Sequence, residues 1–354
     1  FLTFISEPFL SFSVHFVEYT AGLPFTWTRC ITPHPLELAC YYAFMGCLFL
    51  ALKNKDKRYC LFFVPILVVA LVFNAVELEK RYGNKNLKVT VFDVGQGSSA
   101  FIHTPGGGTI LVDGGGFPYS SGFDTGRYII APYLWRNRIM KLDAVIMSHP
   151  ETDHMNGLIY IVKNFKVDLF VKNKDKRKNR AYTELMKTVQ KEETTLLTPP
   201  FENSRVNVEG IQFFFLNPAN SGRGTFYQKC DYNDRSLVFK LACDTVSLLF
   251  PGDVSRQVEE KMVDMYGEKL DSDILIAPHH GSNSSSSALF LDRVNPKDVV
   301  ISCGWKNKYG FPENEVIDRI EKTGAEVYRT DLHGALTIGS TENDYEIVPM
   351  KKGE

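Results

Sequence analysis

His149-Pro-Glu-Thr-Asp-His154 puts two imidazoles and two carboxylates within six residues. These are the donors that borderline and hard divalent cations take. The stretch follows an apolar run, 144–147, that reads as a buried strand. It precedes 155–162, which reads as a turn and the start of a helix. A loop between a rigid strand and a helix can turn several side chains toward one point, so the pattern predicts a metal site. Three more groups fall where apolar strands end: Asp113 after 109–112, Asp253 in Phe250-Pro-Gly-Asp253, and the pair in Pro278-His-His-Gly-Ser282 after 273–277. Strand ends are where a rigid sheet presents functional groups. Asp253 alone reads equally well as the carboxylate at the start of a helix after Ser255. His279 and His280 cannot both face the core of a strand, because successive side chains alternate.

The elements that must position these groups are legible in outline. Residues 89–94 alternate at period two and end in Gly95-Gln-Gly97, a strand and a turn. Residues 99–104 and 109–112 read as two more strands, joined by Pro105-Gly-Gly-Gly108, and predict an antiparallel meander. Further strands are expected at 211–216, 237–241, 246–250, 273–277, 299–303 and 325–328. Helices are expected at 255–266, 284–294 and 313–322, with Gly267 and Gly324 closing the first and the last. That alternation predicts two sheets covered by helices on their outer faces.

The first 80 residues differ in composition. Residues 36–52 are apolar apart from Glu37, and 59–76 are apolar with Pro65 and Asn74 inside. Each is long enough to cross a hydrocarbon core of about 30 Å. Between them lies the basic loop 53–58, Lys-Asn-Lys-Asp-Lys-Arg. A hairpin with that loop in the cytoplasm satisfies the positive-inside tendency and leaves everything after residue 80 outside the cytoplasm. Lys80, Arg81, Lys85 and Lys88 follow the second span closely and weaken that asymmetry. A pair of buried helices in a soluble domain is the alternative. The organisation expected is 1–35 as the end of a truncated membrane region, 36–76 as two transmembrane helices, 77–87 as a linker, 88–345 as one α/β domain and 346–354 as a tail. The chain begins with Phe and shows no signal-peptide pattern, so it reads as starting inside a longer protein.

Forty Lys and Arg against 41 Asp and Glu exclude a global pull toward nucleic acid, so any such binding must be local. Seven scattered cysteines, with no C-x-x-C pair, give neither a disulfide framework nor a thiolate zinc site. The run from Lys172 to Arg180 holds six basic residues and one acid. It reads as a backbone-binding segment or as a solvated loop. Tyr182, Arg223, Phe226 and Tyr227 are candidates for stacking on bases.

His149-x-Glu-x-Asp-His154 resembles the H-x-H-x-D-H signature of the metallo-β-lactamase fold, with Glu151 in place of the middle histidine. Asp253 matches that fold's bridging carboxylate, and the 279–280 pair its final histidine. Together with Asp93-Val-Gly-Gln-Gly97, Leu111-Val-Asp-Gly-Gly115, Leu142-Asp143 leading into Ser148-His149, and Pro251-Gly-Asp253, they resemble the C-terminal domain of the ComEC family of competence proteins, inner-membrane DNA-uptake channels. The resemblance covers about residues 30–340. It implies an α/β protein: a metallo-β-lactamase αββα sandwich preceded by a transmembrane helical hairpin, with a metal site at the sandwich edge. By resemblance, His149, Glu151, Asp153, His154, Asp253 and one of His279 and His280 are metal ligands or their neighbours, with His279 favoured. Glu151 replaces a histidine, and no histidine lies between 154 and 279. The site is therefore oxygen-rich, and one or two divalent ions are expected, Mn or Zn, with Mg admitted.

A bound ion of this kind lowers the pKa of water toward about 7. Asp153 is expected to orient or deprotonate that water, with His154 beside it as a second catalytic residue. Asp113, Asn233, Ser236, Lys308 and Tyr309 are the expected substrate contacts. For Asn233 and Ser236 a strand-capping turn reads equally well, and for Lys308 and Tyr309 a surface loop. Phe311 stands where the family more often has histidine, and Ser98 where aspartate is frequent. The implied function is a metal-dependent hydrolase, a nuclease or phosphodiesterase that degrades one DNA strand while the other crosses the membrane. The implied setting is the cell membrane, multi-pass, with the domain extracytoplasmic and other DNA-uptake proteins as partners. Two rivals stay open: a membrane-anchored phosphodiesterase for a cell-wall polymer or small phosphoester, and a non-catalytic DNA-binding domain.

Overall fold

The computed structural model describes residues 2–23, 30–83, 85–117, 122–198, 205–208, 211–217 and 230–351. Three helices come first: α1 (Leu2–Gly22), α2 (Pro35–Asn54) and α3 (Phe63–Tyr82). Pro35 starts α2 where its missing N–H costs nothing. His34 caps the helix, accepting from Leu36 N while the Glu37 carboxylate accepts from His34 N. The candidate spans, Pro35–Asn54 and Lys57–Lys80, are long and apolar enough to cross a membrane, and neither is buried inside the protein. Phe49, Leu52, Leu67 and Val72 all face outward, the reverse of a soluble core helix. Helix α3 continues to Tyr82. The first half of the expected linker is thus helical, with Lys80 Nζ paired to Glu77 one turn back at 2.9 Å.

The strands, in chain order, are β1 (Lys88–Val91), β2 (Ala100–His103), β3 (Thr109–Val112), β4 (Lys141–Met147), β5 (Lys166–Lys172), β6 (Thr195–Leu197), β7 (Arg205–Val208), β8 (Ile211–Asn217), β9 (Val238–Ala242), β10 (Ser247–Phe250), β11 (Ile274–Ile276), β12 (Asp298–Ile301), β13 (Glu326–Arg329), β14 (Leu336–Ser340) and β15 (Tyr345–Pro349). The helices among them are α4 (Ala131–Arg136), α5 (Thr152–Asn164), α6 (Arg180–Lys191), α7 (Arg256–Tyr266), α8 (Ala288–Val294), α9 (Asn314–Glu321) and α10 (Thr330–His333). One sheet runs β15-β14-β1-β2-β3-β4-β5-β6, the other β13-β12-β11-β10-β9-β8-β7. The meander β1-β2-β3 is antiparallel as expected, and β3 to β6 then run parallel.

Three apolar layers hold the stack. Val89, Ile102, Phe239, Leu248, Ile274 and Leu336 meet between the sheets. Met155, Leu158 and Leu185 bury α5 and α6 against Leu142, Val145 and Phe170. Val258, Met262, Phe290 and Ile320 bury α7, α8 and α9 against Leu249, Leu275 and Val299. Each such side chain removed from water contributes about 1.5–3 kcal/mol. The result is the αββα sandwich.

Two local expectations are corrected. The helix expected at 284–294 is only Ala288–Val294. Residues 282–287 form a loop instead, because the buried Glu259 carboxylate accepts from Ser286 N (2.5 Å) and Ser287 N (2.8 Å). Strand β14 completes the first sheet beside β1, pairing Val89 with Ile338, at a stretch where no strand was expected.

The sandwich is tied to the helices before it. Arg138, just past α4, donates to both carboxylate oxygens of Glu37 at 2.8 and 3.0 Å and to Asn74 Oδ1 at 2.9 Å. Thr32 N donates to Trp135 O at 3.0 Å. Glu37 lies in the first turn of α2 and Asn74 in the second half of α3. The sandwich therefore grips the end of the hairpin opposite the basic loop 53–58.

Candidate metal centre

Glycines let the site assemble. Gly97 has φ +135°, and an added Cβ would lie 2.3 Å from Asp153 O; Gly116, at φ +151°, would meet Thr152 O at the same distance. The glycine-rich turns after β1 and β3 thus press backbone against the first turn of α5, which carries Asp153 and His154. Strand β4 leads to His149, β10 leads to Asp253, and β11 leads to a turn in which His279 and His280 both have left-handed backbone (φ 52° and 57°). That turn gives the adjacent histidines different directions.

His149, His154, Asp253 and His280 are buried, and Asp153 is half-buried at the floor of an 820 Å³ cleft. His154 Nε2 lies 3.2 Å from Asp253 Oδ1, and His280 Nε2 lies 3.5 Å from both Asp253 Oδ2 and Asp153 Oδ2. His149 Nε2 is 4.0 Å from Asp253 Oδ2. Asp153, His154, Asp253 and His280 each offer one ligand atom, all within 4.8 Å of one another.

The opposite ring nitrogens are fixed from behind. His280 Nδ1 donates to the Ser302 carbonyl at 2.9 Å, and His154 Nδ1 to Asp113 Oδ2 at 2.9 Å. His149 Nδ1 meets Ser148 Oγ (3.0 Å) and Ser236 Oγ (3.2 Å). All three Nε2 atoms therefore point at Asp253, and none has a hydrogen-bond partner among the described residues. His154 Nε2 is close enough to Asp253 but not aligned to donate to it. Buried polar atoms are seldom left so. Three converging imidazole nitrogens with two carboxylates, backed by a carboxylate and a carbonyl, are the donor set of a divalent cation. The residues fit the group.

Charge points the same way. Burial and the neighbouring His154 push His149 down to about 3. Burial also opposes charge on His154 and His280. The Asp253 and Asp113 carboxylates nevertheless hold His154 well above its usual value, and Asp253 and Asp153 raise His280 to about 9. Burial likewise opposes charge on Asp153, yet the neighbouring His280 and the charge of His154 bring it down to about 2. Asp253 is held well below the carboxylate range by His154 and His280, against burial. Protons on imidazole are balancing carboxylates here, and a cation takes the place of such protons when it binds.

The remaining expected residues separate by position. Glu151 turns away from the cluster to Arg177 Nη1 at 2.7 Å. His279, favoured over its neighbour in the sequence, lies outside the cluster with Nδ1 3.1 Å from Ser284 Oγ; His280 is the member that faces Asp253. Asp113 and Ser236, expected at the substrate, are buried behind the cluster: Asp113 takes Ser148 N, Ser148 Oγ and His154, and Ser236 Oγ takes Asp253 N at 3.1 Å. Asn233, Lys308 and Tyr309 line the cleft.

The basic run is partly structural. Lys172 is buried and donates to the carbonyls of Asn173 and Asp175, while Arg177 also holds Pro150 O at 3.0 Å. Tyr182, expected to stack on bases, is a buried core residue whose hydroxyl donates to Asp175 O. Arg223, Phe226 and Tyr227 lie outside the described residues. Sequence reasoning missed Ser148, Arg177 and the Ser302 carbonyl. The first two sit beside the motif and in the basic run, but a backbone carbonyl leaves no trace in residue type.

Residues 92–305 match the family described as the metallo-beta-lactamase superfamily. The chain is 30% identical over 256 residues, 71% of its length, to "Competence protein ComA" of Neisseria gonorrhoeae. It is 27% identical over 259 residues, 70% of its length, to "ComE operon protein 3" of Bacillus subtilis. In both cases the match spans 32% of the relative, so the chain corresponds to about a third of the curated relatives it matches. Among solved structures, Igni18, a metallo hydrolase from Ignicoccus hospitalis, matches 72% of this chain and 99% of its own, at 15% identity and TM-score 0.47.

Proposed function

The chain belongs to the metallo-beta-lactamase superfamily, and from that premise we propose that it is a metal-dependent phosphodiesterase that cleaves DNA as part of a membrane-bound DNA-uptake protein. The observation that carries the reading is the convergence of three unpartnered Nε2 atoms and two carboxylates at the floor of an open cleft. His154, Asp253, His280 and Asp153 would hold the ion, with His149 as a further nitrogen. When bound, a divalent cation supplies Lewis acidity to a phosphoryl oxygen and lowers the pKa of water.

The rest is the work of this chain's own residues. Asp153 reaches the cleft and stays a carboxylate at neutral pH, so it can take a proton from the attacking water. Asp113 and the Ser302 carbonyl keep Nδ1 of His154 and His280 protonated, which holds both Nε2 lone pairs forward. Asn233 and Lys308 on the cleft walls offer an amide and a cation to phosphate oxygens.

DNA is favoured as substrate by the similarity to the competence protein ComA and by the motifs that resemble DNA-uptake proteins. The grip of Arg138 on the hairpin end opposite the basic loop supports an extracytoplasmic site, because that loop prefers the cytoplasm. The test is cleavage of single- and double-stranded DNA by the full chain in detergent, with Mn²⁺, Zn²⁺, Mg²⁺ or chelator. Metal-dependent cleavage that falls at least about a hundredfold in Asp153→Ala is expected. A folded, metal-loaded chain that leaves DNA intact and hydrolyses small phosphoesters would replace DNA as the substrate.

A further inference from the structure

The cleft has one wall that the metal chemistry does not use. After β12 the chain runs Gly304-Trp-Lys-Asn-Lys-Tyr-Gly-Phe311, and all of these eight residues except Lys306 and Gly310 line the cleft. Large rings normally seek burial. Here Trp305 is 69% and Tyr309 55% exposed. Tyr309 and Phe311 are stacked, with centroids 5.6 Å apart and planes at 19°. The rings continue inward: Phe311 to His279 at 5.9 Å, and His279 to the cluster residue His280 at 6.3 Å. Each outer ring also carries a cation. Lys306 Nζ lies 4.5 Å from the Trp305 ring centre and Lys308 Nζ 4.9 Å from that of Tyr309.

This wall is rigid rather than a loose surface loop. The Asn307 side chain donates to the carbonyls of Gly304 and Phe311 and accepts from Tyr309 N and Phe311 N. Gly304 N in turn donates to Gln96 Oε1 of the turn after β1 at 3.2 Å. Rings held in place before a ligand arrives lose little entropy when it binds.

We propose that Trp305, Tyr309 and Phe311, with Lys306 and Lys308, form a stacking site for unpaired nucleobases that makes single-stranded nucleic acid the preferred ligand of the cleft. The alternation of ring and ammonium matches a nucleotide chain, which offers a flat base and a phosphate at each step. In a duplex the base faces are covered by their neighbours, so only an unpaired base can lie on Tyr309 or Trp305. A Trp, Tyr and Lys cluster also suits a bilayer interface. The nucleotide is favoured because these rings line the cleft whose floor is the metal cluster, and a flat bilayer does not enter a cleft. The inference deepens the phosphodiesterase reading by naming the form of its substrate. Its test is binding without turnover, so the two can fail separately.

The full chain, in phosphatidylcholine nanodiscs with chelator present, is titrated with a fluorescein-labelled oligothymidylate of about 12 nucleotides and with a blunt duplex of equal length. Tighter binding of the single strand is expected. Tyr309→Ala and Trp305→Ala should each weaken it about tenfold, with little change for the duplex, and Tyr309→Phe should restore it. The oligothymidylate should also quench the tryptophan emission that Trp305→Phe removes, a change that a merely structural role would not give. Equal affinity for both DNA forms, untouched by the alanine variants, overturns the inference even if DNA is cleaved. So does Trp305 emission that responds to added phosphatidylglycerol in the nanodisc and not to the oligothymidylate. Stacking-dependent binding by a chain that cleaves no DNA would uphold the inference and sink the nuclease reading.

Discussion

Asp113 shows how much a residue's role depends on what stands in front of it. In the sequence it is a carboxylate at a strand end, equal in appearance to Asp253. In the structure it is 3% exposed and its oxygens are spent on Ser148 and His154. A carboxylate behind a metal-facing histidine sets its tautomer and raises its basicity, and losing one lowers metal affinity about 10- to 100-fold. Asp113→Asn is expected to weaken Mn²⁺ or Zn²⁺ binding by that factor, read by calorimetry. The same measurement separates the adjacent histidines. His280→Ala should lose the ion, because its Nε2 lies 3.5 Å from both cluster carboxylates, and His279→Ala should retain it. The 279–280 motif was legible, but which imidazole faces Asp253 was not, since the left-handed φ of both residues decides it.

At the scale of elements, the apolar periodicity located most strands and helices, because burial on one face leaves that pattern. It failed at 282–287, where a helix was expected. The cause is Glu259 on α7, a fully buried carboxylate that holds Ser286 N and Ser287 N and so keeps the chain out of helix. Arg319 on α9 holds the same loop through the carbonyls of Ser285 and Ser286. Ser284 of this loop meets His279. Glu259→Ala would leave two buried N–H groups unsatisfied and is expected to cost about 2–4 kcal/mol, seen as a lowered melting temperature. Strand β14 was not expected, although Leu336, Ile338 and Ser340 alternate as its buried positions. It is five residues long and takes its place from pairing with β1, some 250 residues away in sequence by the register Val89 to Ile338.

For the whole molecule, the question is how the sandwich sits on the helices that precede it. Arg138 holds both oxygens of Glu37 and the Asn74 amide oxygen, with side chains of the ion pair only about a fifth exposed. A two-pronged, partly buried pair of this kind fixes orientation more than a surface pair does. Arg138→Ala should leave the sandwich folded and loosen its attachment. Limited proteolysis of the chain in detergent is then expected to cut several-fold faster between α3 and β1. An unchanged cutting rate there would show that the Arg138 contacts do not carry the attachment.

By itself the sequence determined the alternation of strands and helices, the apolar hairpin, and the set of histidines and carboxylates from which a metal site is drawn. These are properties of local periodicity and residue type, and they need no partner distant in the chain. Only the tertiary structure decided that Glu151 leaves the cluster for Arg177, that Asp113 and Ser236 stand behind it, and that Trp305 and Tyr309 stay exposed on the cleft wall. Each of those outcomes depends on which group from another strand end arrives opposite. That is set when the two sheets pack face to face, and no stretch of sequence carries it alone.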